Sequence, residues 1–228
     1  MFATQHQEGR SAQPTSIRRQ FQRSLRGIER NILRMGALVE ESFRYSHRSF
    51  FAQDLAAVEQ VAQLEKRIDQ YYRSIEIECA TLMALQAPVA QDLRCLNAFM
   101  QLIRDLERIG DYAQDLSEMS VRLFNYSPHP NLGEVETMSL QAQLMLSTSL
   151  VALADLDAEL GLTVKSLDDT VDDAYDQLYH TLAFQKDIPG VIEPILLITL
   201  SIRHLERMAD HATNIGQRVA YIVTGERK

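Results

Sequence analysis

An acidic motif occurs twice in this chain, and this repeat restricts the possible fold more than any other feature. Residues 106–111 have the sequence LERIGD and residues 205–210 have LERMAD, 99 positions later. In a helix, residues four apart lie on one face, so each copy sets a glutamate beside an aspartate. Like charges placed in this way repel by about 0.2–0.5 kcal/mol per pair. The repeat indicates a duplicated helical unit, and the repulsion suggests that a positive charge lies opposite each acidic pair.

A second repeat lies upstream of the first. Residues 61–69 match residues 164–172 at an offset of 103, and both stretches contain an acid-x-x-x-acid pair. Each half of the chain therefore carries one pair on its middle helix and one on its last helix. The eight candidate metal ligands are Glu65, Asp69, Glu107, Asp111, Asp168, Asp172, Glu206 and Asp210. The smaller offset of the second motif predicts a shorter loop before the last helix.

Apolar side chains recur at intervals of three and four residues over most of the chain, and this spacing is the helical period. With nine glycines and six prolines in 228 residues, the pattern predicts an all-α protein. The expected helices run from about Thr15 to Phe50, Asp54 to Leu85, Pro88 to Phe124, Asn131 to Leu153, Asp157 to Phe184, and Pro194 to Gly225. Asp54 and Asn131 are the expected N-caps, the latter with Glu134 three positions on, and Gly225 is the expected stop.

The segment Ser127–Pro130 contains two prolines and no apolar residue, so it cannot continue a helix. We place the domain boundary there. The fold predicted is two tandem, structurally similar three-helix bundles, at residues 15–126 and 131–225, after a flexible N-terminal segment at residues 1–14.

The formal charge of −8 is unevenly distributed along the chain. Residues 1–26 carry five arginines against Glu8, and the remainder is strongly acidic. An acidic body argues against nucleic acid as the main partner. The arginine cluster could contact an anionic membrane or an acidic partner, although such residues are usually only solvated. Its members are Arg18, Arg19, Arg23 and Arg26.

The chain is expected to be a soluble cytoplasmic protein. Residues 1–20 are polar and lack the apolar stretch of a secretory signal. The most apolar run, Ile188–Ile202, is interrupted by Glu193 and two prolines and is too short to span a bilayer. Cys79 and Cys95 lack metal or redox spacing and are expected to be free thiols in a reducing compartment.

If the middle and last helices of each half pack antiparallel, four carboxylates converge in each bundle. Oxygen ligands of this kind suit Mg²⁺, Ca²⁺, Mn²⁺ or iron, and suit zinc less well without histidine. Gly110 and Ala209 would let a neighbouring helix approach, and Asp115 and Asn214 would extend the two faces. The alternative is a solvated stripe of ion pairs. The basic partners in that alternative are Lys66, Arg104, Arg108, Arg203 and Arg207.

Signals for catalysis are few. A ferritin-like di-iron enzyme would carry Glu-x-x-His on its core helices, and this spacing occurs nowhere in the chain. A Gly-rich phosphate loop and a Gly-x-Ser-x-Gly turn are also missing from the sequence. His204 and His211 flank the second motif and are expected to be packing or surface residues. We predict that the protein is not an enzyme, with a carboxylate-bridged di-metal enzyme and a metal-free scaffold kept as alternatives.

The sequence resembles the PhoU family of phosphate-signalling regulators associated with bacterial phosphate-specific ABC transporters. The resemblance runs from about Phe21 to Gly225 and rests on three stretches. These are residues 87–94 (APVAQDLR), 105–111 (DLERIGD) and 205–215 (LERMADHATNI). Together they are far more specific than any single acidic pair.

The resemblance implies two tandem three-helix bundles, which agrees with the helix count. It also implies metal on the eight acidic positions named above, since some members carry iron or zinc clusters and others are associated with magnesium or manganese. The implied function is negative regulation of the phosphate-starvation response and of phosphate uptake. The chain would act as an adaptor between the transporter ATPase and a sensor histidine kinase. A homodimer that reaches the membrane only through its partners is expected.

Overall fold

The computed structural model describes residues 12–86, 88, 90–186 and 190–226 of the chain. Over these residues it forms helices and loops without a strand. The helices are α1 (Ala12–Ala52), α2 (Leu55–Gln86), α3 (Ala90–Leu123), α4 (Leu132–Asp155), α5 (Ala158–Ala183) and α6 (Glu193–Thr224). The predicted all-α fold of two repeated three-helix units is confirmed.

Each unit is a bundle in which all three helices contact one another, and the two bundles also pack together through α3 against α6 and α1 against α4. Helices α3 and α6 run antiparallel, since the N-terminal part of α3 lies beside the C-terminal part of α6. Buried side chains from both bundles form one hydrophobic core, with Phe43 and Leu106 in the first and Met138 and Leu205 in the second. The sequence boundary at residues 127–130 is therefore a loop between two bundles that share a core.

An approximate twofold axis relates the bundles, and two contacts between α1 and α4 reveal it. The backbone of Gly36 lies against the side chain of Leu150. His47 Nδ1 lies 3.0 Å from Ser139 Oγ. Gly36 and Ser139 are 103 positions apart, and so are His47 and Leu150. Each contact is therefore the other one with the two bundles exchanged. The offset seen in the sequence is thus the symmetry of the fold.

Most helix ends lie where the sequence predicts them. The expectation of a shorter loop before the last helix is wrong, because nine residues separate α5 from α6 and only three separate α2 from α3. Asp54 Oδ1 accepts the backbone N–H groups of Ala56 and Ala57 at the start of α2. Asp157 caps α5, and Gly225 ends α6 with a φ of +81°. The capping arrangement expected at Asn131 is wrong, because its side chain makes no cap hydrogen bond. The carbonyl of His129 accepts the N–H of Leu132 in a turn before α4, and the first α-helical bond runs from the N–H of Val135 to the carbonyl of Asn131.

The N-terminal segment predicted to be flexible, residues 1–14, falls mostly outside the described residues. Its last three positions, 12–14, belong to α1, which begins at Ala12 and not at Thr15. Both cysteines are free thiols, as expected, with Cys79 buried and Cys95 half-buried.

Helix α4 is the described helix that is long and apolar enough to cross a membrane by length and composition alone. A core helix of a globular protein meets the same criterion, and a little under half of its apolar stretch is buried. One side of α4 packs against α1, α5 and α6. The other side is exposed and still apolar, with Leu140 and Leu144 more than half exposed.

Candidate functional site

The first acidic pairs meet between α2 and α3. Glu65 and Asp69 lie on α2, and Glu107 and Asp111 lie on the facing part of α3. Burial, then the charges of Asp69 and Asp111, raise the pKa of Glu65. Burial, then the charges of Asp111 and Asp69, raise the pKa of Glu107. On each helix, the pKa of a glutamate is therefore raised partly by a carboxylate on the facing helix. We call these four residues the N-terminal acidic face.

Arginines on the same two helices form ion pairs with some of these carboxylates. Arg73 donates to Asp69 at 2.9 Å, one turn along α2. Arg108 lies 3.3 Å from Asp111 and 3.6 Å from Glu107. Burial raises the pKa of Asp111, while Arg108 opposes this effect. These pairs are half-exposed, where an ion pair contributes about 0–1 kcal/mol. The two arginines therefore balance only part of the charge of the four carboxylates.

The second acidic pairs meet in the same way between α5 and α6, at Asp168, Asp172, Glu206 and Asp210. We call these the C-terminal acidic face. Burial, followed by the charges of Asp168 and Asp210, raises the pKa of Asp172. Burial, followed by the charge of Asp210, raises the pKa of Glu206. Repulsion across the helix pair is thus repeated in the second bundle.

The C-terminal acidic face differs from its counterpart in how deeply its residues lie. Asp168 is only 2% exposed, and its Oδ2 accepts a hydrogen bond from Lys165 at 2.8 Å. Arg203 pairs with Glu206 at 2.7 Å, in the same helix. Asp168 Oδ1 and Glu206 Oε2 are buried oxygens without a hydrogen-bond partner. A buried carboxylate oxygen normally has a partner, so these two atoms are the most evident ligand positions in the face.

The remaining pair in this face is Arg207 with Asp210, at 2.8 Å. As the side chains stand, the described residues contain no group of three or more His, Cys, Asp or Glu side chains that could hold a metal ion. Ion pairs run along both faces; Arg108, Arg203 and Arg207 were among the expected basic partners, and Arg73 and Lys165 were not. The donor set is nevertheless all oxygen, which fits hard divalent cations and iron. Binding would require carboxylates to turn from their arginines toward the facing helix.

Glycines set the spacing of the helices that carry both faces. A Cβ on Gly110 would lie 3.3 Å from Ile68 Cδ1, so α2 and α3 are in close contact beside the N-terminal acidic face. In the second bundle, Gly161 of α5 and Gly216 of α6 meet backbone to backbone. A Cβ on Gly216 would lie 2.2 Å from the carbonyl oxygen of Gly161. These contacts fix how far apart the facing carboxylates can be.

A buried polar network joins α3 to α6 on the twofold axis, and sequence reasoning did not find it. Asp105 is 5% exposed. His211 Nδ1 lies 2.9 Å from Asp105 Oδ1, and Arg218 Nε donates to Oδ2 at 2.8 Å. The only sequence signal was a difference between the repeats, since the residue before the motif is aspartate in the first and His204 in the second. The tyrosine ring of Tyr112 stacks 6.0 Å from His211.

Asp115, which was predicted to extend the N-terminal acidic face, lies on the side of α3 that faces α6. Asp115 Oδ2 lies 3.9 Å from His204 Nε2, across the α3–α6 interface. Burial lowers the pKa of His204, and the nearby charge of Asp115 opposes this effect. His204 and His211 are thus largely buried packing residues between the bundles, as expected. They are not ligands of the acidic faces in this arrangement.

Comparison with known proteins gives a consistent result over both bundles. A sequence model of the PhoU domain matches residues 32–120 and 135–219. The phosphate-specific transport system accessory protein PhoU homolog of Synechocystis sp. is 62% identical over 91% of this chain and 93% of its own length. The Pseudomonas aeruginosa homolog is 34% identical over 92% of this chain and 87% of its own.

Solved structures show the same similarity in three dimensions. The crystal structure of PhoU from Pseudomonas aeruginosa covers 90% of this chain and 100% of its own, with a TM-score of 0.86 and 33% identity. The phosphate transport system regulatory protein PhoU from Streptococcus pneumoniae covers 91% and 99%, with a TM-score of 0.82 and 28% identity.

Proposed function

The chain belongs to the PhoU family of phosphate transport accessory proteins, and on that premise we propose that it represses the phosphate-starvation response as an adaptor. Its partners would be the ATPase of the phosphate-specific ABC transporter and the sensor histidine kinase of the phosphate two-component system. By holding the kinase beside the transporter when phosphate is plentiful, it would keep both signalling and phosphate uptake low.

The observation that carries this proposal is the duplication of one charged face in two unequal versions. Each bundle presents four carboxylates on its middle and last helices, and the two copies are held rigidly by the shared core. In the C-terminal copy Asp168 is buried and paired with Lys165, whereas Glu65 at the equivalent position is half-buried and has a raised pKa. Two related but different surfaces on one rigid body suit a protein that binds two partners.

We also propose that the acidic faces bind a divalent cation or iron, with Fe, Zn, Mg and Mn as the candidates. The carboxylates of facing helices would hold it, and the bound cation would supply the positive charge that relieves their mutual repulsion. Raised pKa values at Glu65, Glu107 and Asp172 support the proposal, because they reflect burial and repulsion that a cation would offset. The stiffened helix pairs would then dock partners only in the loaded state.

A pull-down from phosphate-replete cells tests the adaptor role. The intact protein should retain the transporter ATPase and the kinase, and the variant Glu107→Ala with Asp111→Ala should lose at least one of them. A matched control, Glu59→Ala with Glu134→Ala, removes the same charge from exposed positions outside both acidic faces and should retain both. Recovery of neither protein with the intact chain would refute the adaptor proposal.

Elemental analysis of the purified protein tests the metal proposal separately. The intact chain should contain metal, and the Glu107→Ala and Asp111→Ala variant should contain less. Equal metal content in the two proteins would refute binding at the N-terminal acidic face. No observation on the described residues favours the di-metal enzyme, and oxygen consumption on iron loading is the result that would favour it. Metal-free protein that still binds both partners would favour the scaffold alternative.

A further inference from the structure

The outer side of α1 carries a long basic stripe. Seven exposed arginines recur at intervals that keep them on one side of the helix, within an arc of about 80°. They are Arg19, Arg23, Arg26, Arg30, Arg34, Arg44 and Arg48, and we call them the arginine stripe. At 1.5 Å per residue the stripe is about 43 Å long. It is a strong concentration of positive charge on a protein whose net charge is −8.

Little of this charge is neutralised within the molecule. Among the described residues, Arg48, paired with Asp54, is the one member of the arginine stripe that forms an ion pair. The carboxylates of both acidic faces are influenced by Lys and Arg side chains of α2, α3, α5 and α6, and no arginine of α1 is among them. The arginine stripe and the two acidic faces therefore lie on different helices, and Glu41 is the one acidic residue within the arc of the stripe.

The outer side of α4 is apolar and uncharged. Leu140, Leu144 and Val151 are 54%, 55% and 50% exposed, and they lie on one side of the helix. We call them the apolar stripe. Between Thr137 and Ala154 the sequence of α4 has no charged residue at all. A helix that already buries one side in a core needs a polar outer side for solubility, so an apolar outer side indicates contact with something other than water.

The twofold symmetry shows that the fold does not require this apolar surface. At the offset of 103, Leu144 corresponds to Glu41 of α1, and Val151 corresponds to Arg48. The same structural positions are thus charged in one bundle and apolar in the other. The fold therefore tolerates charge at two of the three positions of the apolar stripe, whereas the third, Leu140, corresponds to Ala37.

The two stripes lie side by side on one surface of the molecule. Helices α1 and α4 run antiparallel where they touch, since Gly36 contacts Leu150 and His47 contacts Ser139. On each helix these contact residues lie about 110° around the axis, in the same sense, from the centre of the exposed stripe. The exposed sides of α1 and α4 consequently face the same way. Arg44 and Arg48 lie next to the part of α4 that carries Leu140, because His47 contacts Ser139. The stretch from Arg19 to Arg30 continues past the C-terminal end of α4.

We infer that this α1–α4 surface docks directly on the surface of an anionic lipid bilayer. Guanidinium groups form paired hydrogen bonds with phosphate, and the arginine stripe would contact the lipid headgroups. The apolar stripe would enter the boundary between headgroups and acyl chains, as interfacial helices do. A second copy of the chain is a poorer occupant, because a twofold contact would place each arginine stripe against either the partner's arginine stripe or its uncharged apolar stripe, and neither supplies the anions that the guanidinium groups need. The inference is independent of the acidic faces and of the adaptor role.

Vesicle co-sedimentation of the full chain tests this inference. The protein should bind vesicles that contain phosphatidylglycerol, bind phosphatidylcholine vesicles far more weakly, and dissociate as salt is added. The variant Arg34→Glu with Arg44→Glu should bind at least about 30-fold more weakly, since each arginine at an anionic surface contributes a factor of about five. The matched control, Arg67→Glu with Lys186→Glu, makes the same charge change at exposed positions off α1 and should bind normally.

The apolar stripe is tested with Leu140→Gln and Leu144→Gln, which should weaken vesicle binding even at low salt. Replacing Ile77, an apolar residue on α2 that is still more exposed, at 64%, with Gln should have no effect. All variants change exposed side chains, and circular dichroism checks that they fold. Equal binding to both vesicle types, or equal losses in variants and controls, would overturn the inference. Two further results would overturn it. In the first, L140Q/L144Q loses self-association but still binds vesicles as the intact protein does. In the second, the intact protein does not bind vesicles, and R34E/R44E loses a protein partner.

Discussion

The contact between Gly161 and Gly216 gives a quantitative prediction about the second bundle. A Cβ on residue 216 would lie 2.2 Å from the carbonyl oxygen of Gly161 and 3.1 Å from its carbonyl carbon. Ordinary contacts of a Cβ lie at 3.4–4 Å, so Gly216→Ala must push α5 and α6 apart by about 1 Å. The obstacle is backbone, which cannot rotate away as a side chain can. The substitution should therefore strain the whole helix pair.

The expected loss follows from two opposing effects. Overpacking of a tight core costs about 1–3 kcal/mol, and a backbone obstacle lies at the upper end of that range. Alanine stabilises the helix by about 1 kcal/mol relative to glycine. The net effect is a loss of about 2 kcal/mol in the free energy of unfolding. For a chain of this size, that loss lowers the melting temperature by about 4–8 °C.

Gly27→Ala is the matched control for this prediction. Gly27 lies inside α1, and no atom lies within 4 Å of the position that its Cβ would take. The propensity gain of about 1 kcal/mol is then unopposed, and the melting temperature should rise by about 2–4 °C. Thermal unfolding followed by circular dichroism measures both variants. If Gly216→Ala melts at the same temperature as Gly27→Ala, α5 and α6 do not touch there and the reasoning is wrong.

Three further variants test the electrostatics. Asp105→Ala leaves Arg218 and His211 without their carboxylate and should lower the free energy of unfolding by about 2 kcal/mol in urea titrations; an unchanged midpoint would contradict the α3–α6 network. Burial and repulsion raise the pKa of Glu107, so its ionised form opposes folding and Glu107→Gln should stabilise the metal-free protein at neutral pH but not near about pH 4. A stabilisation that persists in acid would show that charge is not the cause. Burial lowers the pKa of His204, so the unfolded state binds its proton more readily and stability should fall as pH drops below about 6.5; His204→Gln should flatten that part of the pH profile, and an unaltered profile would exclude this role.

The sequence alone determined the secondary structure and the duplication. Helical periodicity, the cap at Asp54, the start of α5 near Asp157 and the stop at Gly225 are local properties, so they can be recognised without knowing what a helix packs against. The eight acidic positions were also found this way, because residues four apart share one side of any helix. Their status as ligands remains a prediction. At Asn131 the backbone carbonyl accepts the first α-helical bond, from the N–H of Val135, but the expected side-chain cap is not made.

Only the tertiary structure decided how distant segments combine. Periodicity shows which side of a helix is buried, but it does not show which helix covers that side. For this reason the shared core of the two bundles could not be foreseen. The network around Asp105 joins residues more than a hundred positions apart, and charge pairing at that separation leaves no local pattern. The α1–α4 surface likewise depends on two helices from different bundles lying side by side, which places the arginine stripe next to the apolar stripe.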